Sequence, residues 1–262
     1  MARKIIVASS KGGAGKSTAS LGIASALVEK GKKVLLCDLD FENKCLEFFM
    51  GLEEVSLYNI ADVAKGLVSA DKAVIRNEKG LSFITAPTGY TVSAGRKEKN
   101  VTPAELAYAI KEVIKCEEPD YVIFDTAAGH SIPVILASKF RDAHAIVTAS
   151  HQPASCRGAQ RAAEYLEENG VKNVRLVITG YEFDEAWHKV RSGIIEIIDS
   201  SSVQLLGVVP YDRVLMLSHE RGTVVPKNSI SSIAFSNIAS RLDGDNVRLF
   251  DGMKNIKRNR IL

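Results

Sequence analysis

No feature limits the possible folds of this chain more than a glycine-rich segment, residues 11–18, set between an apolar run and a helical pattern. Small residues let backbone N–H groups curl around phosphate oxygens, and the helix that follows adds its positive N-terminal end. A lysine supplies a point charge for the β- and γ-phosphates, and a hydroxyl supplies a ligand for Mg²⁺. The pattern therefore predicts a phosphate loop made of Gly12, Gly13, Ala14, Gly15, Lys16, Ser17 and Thr18.

Short apolar runs alternate with helical patterns along most of the chain. Predicted strands lie at residues 4–9, 33–38, 81–85, 121–125, 144–149, 175–179 and 205–209. Several are continuously apolar, as expected for strands covered on both faces of a parallel sheet. The alternation predicts an α/β fold, a doubly wound and mostly parallel sheet with helices on both faces, formed as one domain. We expect this domain to span residues 1–246 and a basic tail to span residues 247–262.

Three aspartates follow two of these strands. Asp125 ends an apolar strand, which is the position of a carboxylate that accepts a hydrogen bond from a Mg²⁺-bound water. Asp38 and Asp40 end the second strand, and alternation places both on one side of it. There they are able to hold a Mg²⁺-bound water or to orient the attacking water. The alternative for Asp38 and Asp40 is that they are solvated carboxylates at the end of a strand.

The pattern K-G-G-x-G-K-[ST] of residues 11–17 resembles the deviant Walker A motif of the MinD/ParA family of ATPases, and the MinD branch most closely. Ser10 stands where many members have a glycine. The resemblance implies that ATP and Mg²⁺ are the cofactors and that ATP joins two subunits in a homodimer. It implies that Lys11 reaches the phosphates of the partner subunit's nucleotide and that Asp40 acts in hydrolysis. With Lys16 and Asp125, they form the predicted catalytic set; Ser17, Asp38 and Asp125 form the predicted metal set.

Further likeness lies beyond the phosphate motifs. Gly129 matches the switch glycine whose N–H senses the γ-phosphate, while Ala128 stands where the related nitrogenase iron protein has a cluster-binding cysteine, which excludes that chemistry. Residues 207–212 resemble G-V-I-P-E-D, which implies that Pro210 and Asp212 help to enclose adenine. Residues 179–182 read T-G-Y-E where the MinD branch tends to have T-R-Y-N, so the preference for ATP over GTP depends on the resemblance alone.

The tail concentrates the basic charge of the chain. Residues 247–262 contain five basic residues and one acidic residue, whereas the whole chain has a formal net charge of +3. Leu249, Met253 and Ile256 share one helical face, and the MinD branch ends in a basic amphipathic helix that lies on anionic membranes. The resemblance thus implies a membrane anchor, and the alternative is a solvated basic end. The near-neutral remainder has no basic field typical of proteins that bind nucleic acid.

The combined prediction is a Mg-ATP-dependent, dimerising ATPase that acts as a spatial or assembly switch with a protein activator. The absence of an 18-residue apolar run and of Cys-x-x-Cys spacing favours a cytoplasmic protein with reduced thiols. The resemblance implies that it is also peripheral on the inner face of the cell membrane. One alternative is a ParA-type partition ATPase, which would show salt-dependent DNA binding. The other is a small-molecule ligase or kinase on the same scaffold, which would release a cyclised or phosphorylated product.

Overall fold

The computed structural model of the chain describes residues 2–77, 79–93 and 99–253. The strands within these ranges are β1 (Arg3–Ala8), β2 (Val34–Leu39), β3 (Ile75–Arg76), β4 (Leu81–Ile84), β5 (Thr91–Val92), β6 (Asn100–Val101), β7 (Tyr121–Thr126), β8 (Ala143–Ala149), β9 (Asn173–Tyr181) and β10 (Leu205–Pro210). The helices are α1 (Lys16–Glu29), α2 (Leu46–Phe49), α3 (Ile60–Ala64), α4 (Ala70–Ala73), α5 (Pro103–Glu117), α6 (Ile132–Ser138), α7 (Pro153–Glu168), α8 (Phe183–Trp187), α9 (Ile194–Ser201), α10 (Arg213–Glu220) and α11 (Ile230–Asp243).

Eight strands form one sheet in the order β10-β9-β8-β1-β7-β2-β4-β3. Neighbouring strands run parallel except for β3, which pairs antiparallel with β4 at the edge. The fold prediction is confirmed, and each of the seven predicted strands is present with ends that differ by no more than two residues. The central position of β1, between β7 and β8, puts the loop that follows it in the middle of the carboxyl edge.

The core consists of two apolar layers, one on each face of the sheet. In β1, Ile5 and Val7 belong to the layer packed against α1 and α11, while Ile6 and Ala8 belong to the layer that includes α5 and α7. Because alternate residues of one strand face opposite layers, a strand buried on both faces has to be apolar throughout. This explains the continuous apolar runs of the sequence.

A capping box formed by Thr102 and Glu105 begins α5. The Thr102 Oγ1 accepts a hydrogen bond from the Glu105 amide at 3.3 Å, and the Glu105 carboxylate accepts one from the Thr102 amide at 2.8 Å. Hydrogen bonds from the Thr102 backbone and from Lys65 lower the pKa of Glu105 to about 2. This reciprocal arrangement satisfies N–H groups that the first turn of a helix leaves without partners.

The described part of the predicted tail differs from an amphipathic helix. Residues 247–253 form turns after α11, and Leu249 and Phe250 are half-buried against the core. The Phe250 ring meets the Phe183 ring edge-on with 5.4 Å between centroids, and Asn237 donates a hydrogen bond to the Asp251 carbonyl at 2.8 Å. Aromatic burial and backbone hydrogen bonds thus hold this part on the domain. The rest of the predicted tail, including Ile256, lies outside the described residues.

Across the described ranges, each helix is too short or too polar to cross a lipid bilayer.

Candidate functional site

The phosphate loop and the ends of β2 and β7, which carry the predicted phosphate and metal residues, meet at the carboxyl edge of the sheet. β7 lies between β1 and β2, and Asp125 of β7 is paired in register with Val7 on one side and Asp38 on the other. The carboxyl ends of adjacent parallel strands form the crevice in which ligands bind in such folds. The strand order therefore brings together residues that are almost 90 positions apart in the sequence.

The phosphate loop has the open backbone that its glycines predict. Gly13 and Gly15 have φ angles of 74° and 76°, in the left-handed region that favours glycine. A side chain at Gly15 would lie 2.8 Å from the Thr179 hydroxyl, so this position has no room for one. A Cβ at Gly12 or Gly13 would instead meet no atom within 4 Å. Open space thus lies over this backbone, immediately before the N-terminus of α1.

The two paired aspartates each keep one buried oxygen without a hydrogen-bond partner. The Ser20 hydroxyl donates to Asp125 Oδ1 at 2.9 Å, and the Asp40 amide donates to Asp38 Oδ1 at 3.0 Å. Asp38 Oδ2 and Asp125 Oδ2 find no donor in the described part of the chain. Burial, and to a smaller extent repulsion from Asp125, raises the pKa of Asp38. Burial also raises the pKa of Asp125, although Ser17, Ser20 and Lys16 act in the opposite direction.

These residues fit a magnesium–nucleotide group. Buried charged carboxylates without partners cost free energy unless a cation or a donor meets them. Hard oxygen ligands of this kind suit Mg²⁺, which usually keeps several waters and is held by one or two carboxylates and by phosphates. Lys16, whose side chain is also buried, and the open loop backbone supply the positive groups that phosphates require.

Asp40 lies next to this pair, but its carboxylate stabilises the loop that follows it. Its Oδ1 accepts hydrogen bonds from the amides of Glu42 and Asn43 at 3.1 and 2.8 Å. A carboxylate that accepts from amides two and three residues ahead stabilises a tight turn. Asp40 is therefore rigidly placed at the carboxyl edge, and its role in hydrolysis stays a prediction.

Lys11 turns away from the open space over the loop. Its ammonium donates a hydrogen bond to Gln152 Oε1, just before α7, and its Cβ lies against Gly158 of that helix. A lysine side chain is flexible and its ammonium is a compact point charge. A single side-chain hydrogen bond thus holds Lys11 on its own subunit.

Two other residues predicted to contact the nucleotide, Gly129 and Asp212, form hydrogen bonds within the chain. The Gly129 amide donates to the Ser9 carbonyl at 3.0 Å. Asp212 caps α10 through the Val214 amide at 2.9 Å and accepts from the Ser231 hydroxyl at 2.6 Å. Burial alone would raise the pKa of Asp212, but these hydrogen bonds hold that pKa below its usual value. Pro210 and Asp212 lie at the same carboxyl edge, and their contact with adenine stays a prediction.

Sequence reasoning missed three residues that shape this site. Ser20 orients Asp125, Gln152 holds Lys11, and Thr179 donates to the Ala14 carbonyl at 3.0 Å. Ser20 lies one helical turn after Ser17, so its helix position was a usable signal. No local pattern points to Gln152 or Thr179, because each reaches the loop from a distant strand end.

Comparison with known proteins places this geometry in a family. Residues 5–225 match the family described as the CobQ/CobB/MinD/ParA nucleotide binding domain. The chain is similar to the septum site-determining protein MinD of Synechocystis sp., with 30% identity over 261 residues, which covers 97% of this chain and 94% of that protein.

Solved structures show the same architecture. The chain matches the MinC:MinD cell division protein complex of Aquifex aeolicus with a TM-score of 0.82 and 26% identity, covering 95% of this chain and 98% of that chain. It shares its fold with the septum site-determining protein MinD complexed with Mg-ADP from Pyrococcus horikoshii, with a TM-score of 0.77 and 22% identity, covering 93% of this chain and 97% of that chain.

Proposed function

The chain belongs to the CobQ/CobB/MinD/ParA nucleotide-binding family, and from this premise we propose that it is a Mg-ATP-dependent, dimerising ATPase. Its role would be that of a MinD-like spatial switch in the placement of the cell-division site. The observation that carries the proposal is the pair of buried carboxylates with unpartnered oxygens, Asp38 and Asp125, beside the open phosphate loop. The carboxylates suit the magnesium ion, and the loop suits the phosphates that the ion accompanies.

Each residue of the site has a distinct task in this proposal. The amides of Gly12 and Gly13 and the ammonium of Lys16 bind phosphate oxygens. Ser17, Asp38 and Asp125 would hold Mg²⁺ through their side-chain oxygens. The metal, when bound, neutralises charge that develops on the phosphates. Asp40 then orients the water that attacks the γ-phosphate.

Lys11 links hydrolysis to assembly. Its contact with Gln152 is a single hydrogen bond at a half-exposed position, so its loss costs only about 1 kcal/mol. A phosphate of the partner subunit's ATP offers Lys11 a stronger, charge-assisted partner. Dimerisation would therefore follow ATP binding, and hydrolysis in each subunit would end it.

Two variants separate these tasks. Asp40→Ala should bind ATP, hydrolyse it slowly and accumulate as a dimer, because water orientation is lost while the phosphate loop is intact. Lys11→Ala should bind ATP and stay monomeric. Light scattering with and without ATP gives the masses, and direct titration gives the ATP affinity. Equal masses for the two variants in ATP would rule out the role of Lys11 between subunits.

A protein partner would bind the dimer in preference to the monomer. The Aquifex aeolicus relative was solved as a MinC:MinD complex, which supports a binding partner for this chain's own dimer. A pull-down with the Asp40→Ala variant, in ATP and in ADP, would reveal an activator or cargo that prefers the ATP-bound form. Recovery of the same proteins in both nucleotides would contradict a switch.

We also propose that residues 254–262 attach the ATP-bound dimer to the inner face of the cell membrane. They contain Lys254, Lys257, Arg258 and Arg260, and each basic residue near an anionic surface contributes about 1 kcal/mol. One copy is marginal and two copies in a dimer bind far better, because the second binds at high effective concentration.

Sedimentation with anionic liposomes tests this attachment. The full chain should sediment in ATP and much less in ADP, and a chain that ends at Met253 should stay in solution with unchanged ATP affinity. Ending there keeps Leu249 and Phe250 on the domain. If the two chains sediment equally, the tail is a solvated end.

A further inference from the structure

A cavity of about 340 Å³ lies on the face of the sheet that carries α1, away from the phosphate loop. Its walls come from α1, α2, α10, α11, the β3–β4 edge and the loop at residues 222–225. None of the predicted nucleotide or metal residues lines it. Its size is at the lower end of the range for small-molecule sites, about 300–1,000 Å³.

The inner part of the cavity is apolar and uncharged. Phe83 and Phe235 are almost fully buried in its wall, and the Phe49 ring stacks on the His219 ring with 4.2 Å between centroids. Burial lowers the pKa of His219 to about 4, so its imidazole is neutral at pH 7. Such a lining favours a hydrocarbon chain or a ring system and excludes phosphate groups.

The mouth of the cavity is charged. Ser25, Glu29 and Lys79 are exposed there. Glu29 pairs with Lys227 at 3.3 Å, and Arg76, also at the mouth, pairs with Asp71 at 2.9 Å. Lys79 has no ion-pair partner within the described ranges. The mouth therefore offers one cation that is available to a ligand.

We propose that this cavity is a second ligand site, which binds an amphipathic monocarboxylate with a single aliphatic chain of medium length. The chain lies between the aromatic walls, and the carboxylate stays at the mouth beside Lys79. The apolar interior, the ammonium of Lys79 and the volume together select this class over nucleotides, which carry several phosphates, and over neutral hydrocarbons, which gain nothing at the mouth.

The cavity shares structural elements with the predicted nucleotide site. Its α1 wall continues the helix that begins at Lys16, and its α2 wall begins six residues after Asp40. The backbone at Gly51, just after α2, packs directly on Gly222, so that a Cβ at Gly51 would lie 2.7 Å from the Gly222 carbonyl oxygen. The cavity walls are thus rigidly joined to elements that carry nucleotide residues.

Calorimetric titration of the full-length protein with decanoate tests the proposal, with saturating Mg-ADP present to occupy the nucleotide site. We expect one decanoate per chain, binding about 15-fold tighter than octanoate, because decanoate has two more methylenes and each buried methylene contributes about a fourfold factor in affinity. Acetate, which lacks the chain, should not bind. Failure of decanoate to bind in saturating Mg-ADP would overturn the proposal, as would binding that occurs only when Mg-ADP is left out, and neither result bears on the ATPase activity.

A pair of charge reversals locates the site. Lys79→Glu should weaken decanoate binding at least fivefold, because it places a negative charge beside the carboxylate. Lys72→Glu makes the same change at an exposed lysine of α4 outside the cavity and should leave the affinity unchanged. Equal effects would mean that decanoate responds only to net charge, which contradicts the site.

A chain that ends at Met253 gives a further check. Met253 packs on the same core layer as the cavity walls, and nine residues of the sequence follow it. Unchanged decanoate affinity in the shortened chain supports a free ligand. Markedly tighter binding would show that the cavity belongs to the chain's own end, and it would overturn the proposal.

Discussion

Aspartates lie at both the carboxyl edge and the amino edge of the same sheet, but their surroundings are opposite in character. At the carboxyl edge, Asp38 and Asp125 face each other with one unpartnered oxygen each. At the amino edge, Asp243 accepts from the Tyr121 hydroxyl at 2.8 Å and pairs with Lys32 at 3.1 Å. One edge keeps carboxylate oxygens without partners, and the other satisfies its aspartate within the fold.

The pKa values of these aspartates shift in opposite directions. Burial and mutual repulsion raise the pKa of Asp38, whereas hydrogen bonds from Tyr121 and Lys32 lower that of Asp243. A raised pKa in the folded protein means that the charged form destabilises the fold, and a lowered one means that it stabilises the fold. The carboxyl edge therefore sacrifices stability that a bound cation would restore.

The largest effect should come from removing the positive charge of the carboxyl edge. Lys16→Ala should weaken ATP binding by at least about 100-fold, because the phosphates lose their buried cation. Titration with a fluorescent ATP analogue measures it, and Lys30→Ala is the matched control, because Lys30 lies at the C-terminal end of α1, far from the phosphate loop. Unchanged affinity in Lys16→Ala would mean that phosphate binds elsewhere.

A smaller effect, with opposite signs for stability and activity, should follow at Asp125. Asp125→Asn should slow hydrolysis by about 100-fold and should stabilise the nucleotide-free protein by about 1 kcal/mol, because it removes one of two facing charges. Thermal unfolding without nucleotide and a phosphate-release assay measure the two. A destabilised, inactive protein would show that Asp125 serves the fold as well as the site.

The pH dependence of that stability gain should follow the raised pKa values. Protons bound to Asp38 and Asp125 favour the folded state, so their contribution is full below the ordinary pKa of 3.8 and is lost as pH rises through the raised values. The advantage of Asp125→Asn in unfolding temperature should therefore shrink as the pH is lowered from 8 towards 5. An advantage that is constant with pH would exclude repulsion as its cause.

The smallest effect should be at the amino edge. Asp243→Asn should destabilise the protein by about 1 kcal/mol through loss of the Lys32 pair and a weaker bond to Tyr121, with ATP affinity unchanged. Because the pKa of Asp243 is lowered on folding, its contribution is present above 3.8 and is lost as pH falls through the folded value. The variant and the wild type should thus converge in acid, which urea unfolding at pH 7 and pH 3 would reveal.

Much of the fold and half of the site follow from short stretches of sequence. Short apolar runs predicted the positions of seven strands, and several of these runs are continuous because a strand covered on both faces has no polar face. The phosphate loop was readable because its glycines, lysine and hydroxyl act together within eight consecutive residues. Asp125 and Asp38 were readable because each ends such a strand.

The remaining features depend on which distant elements become neighbours, and only the tertiary structure decided them. The pairing of β7 with both β1 and β2 places Asp38 opposite Asp125, and the start of α7 brings Gln152 to Lys11. Phe250 packs on Phe183 instead of continuing a free helix. These contacts join residues 67 to 141 positions apart. Sequence patterns extend over only a few helical turns, so they do not specify the order of the strands or which surfaces pack against each other.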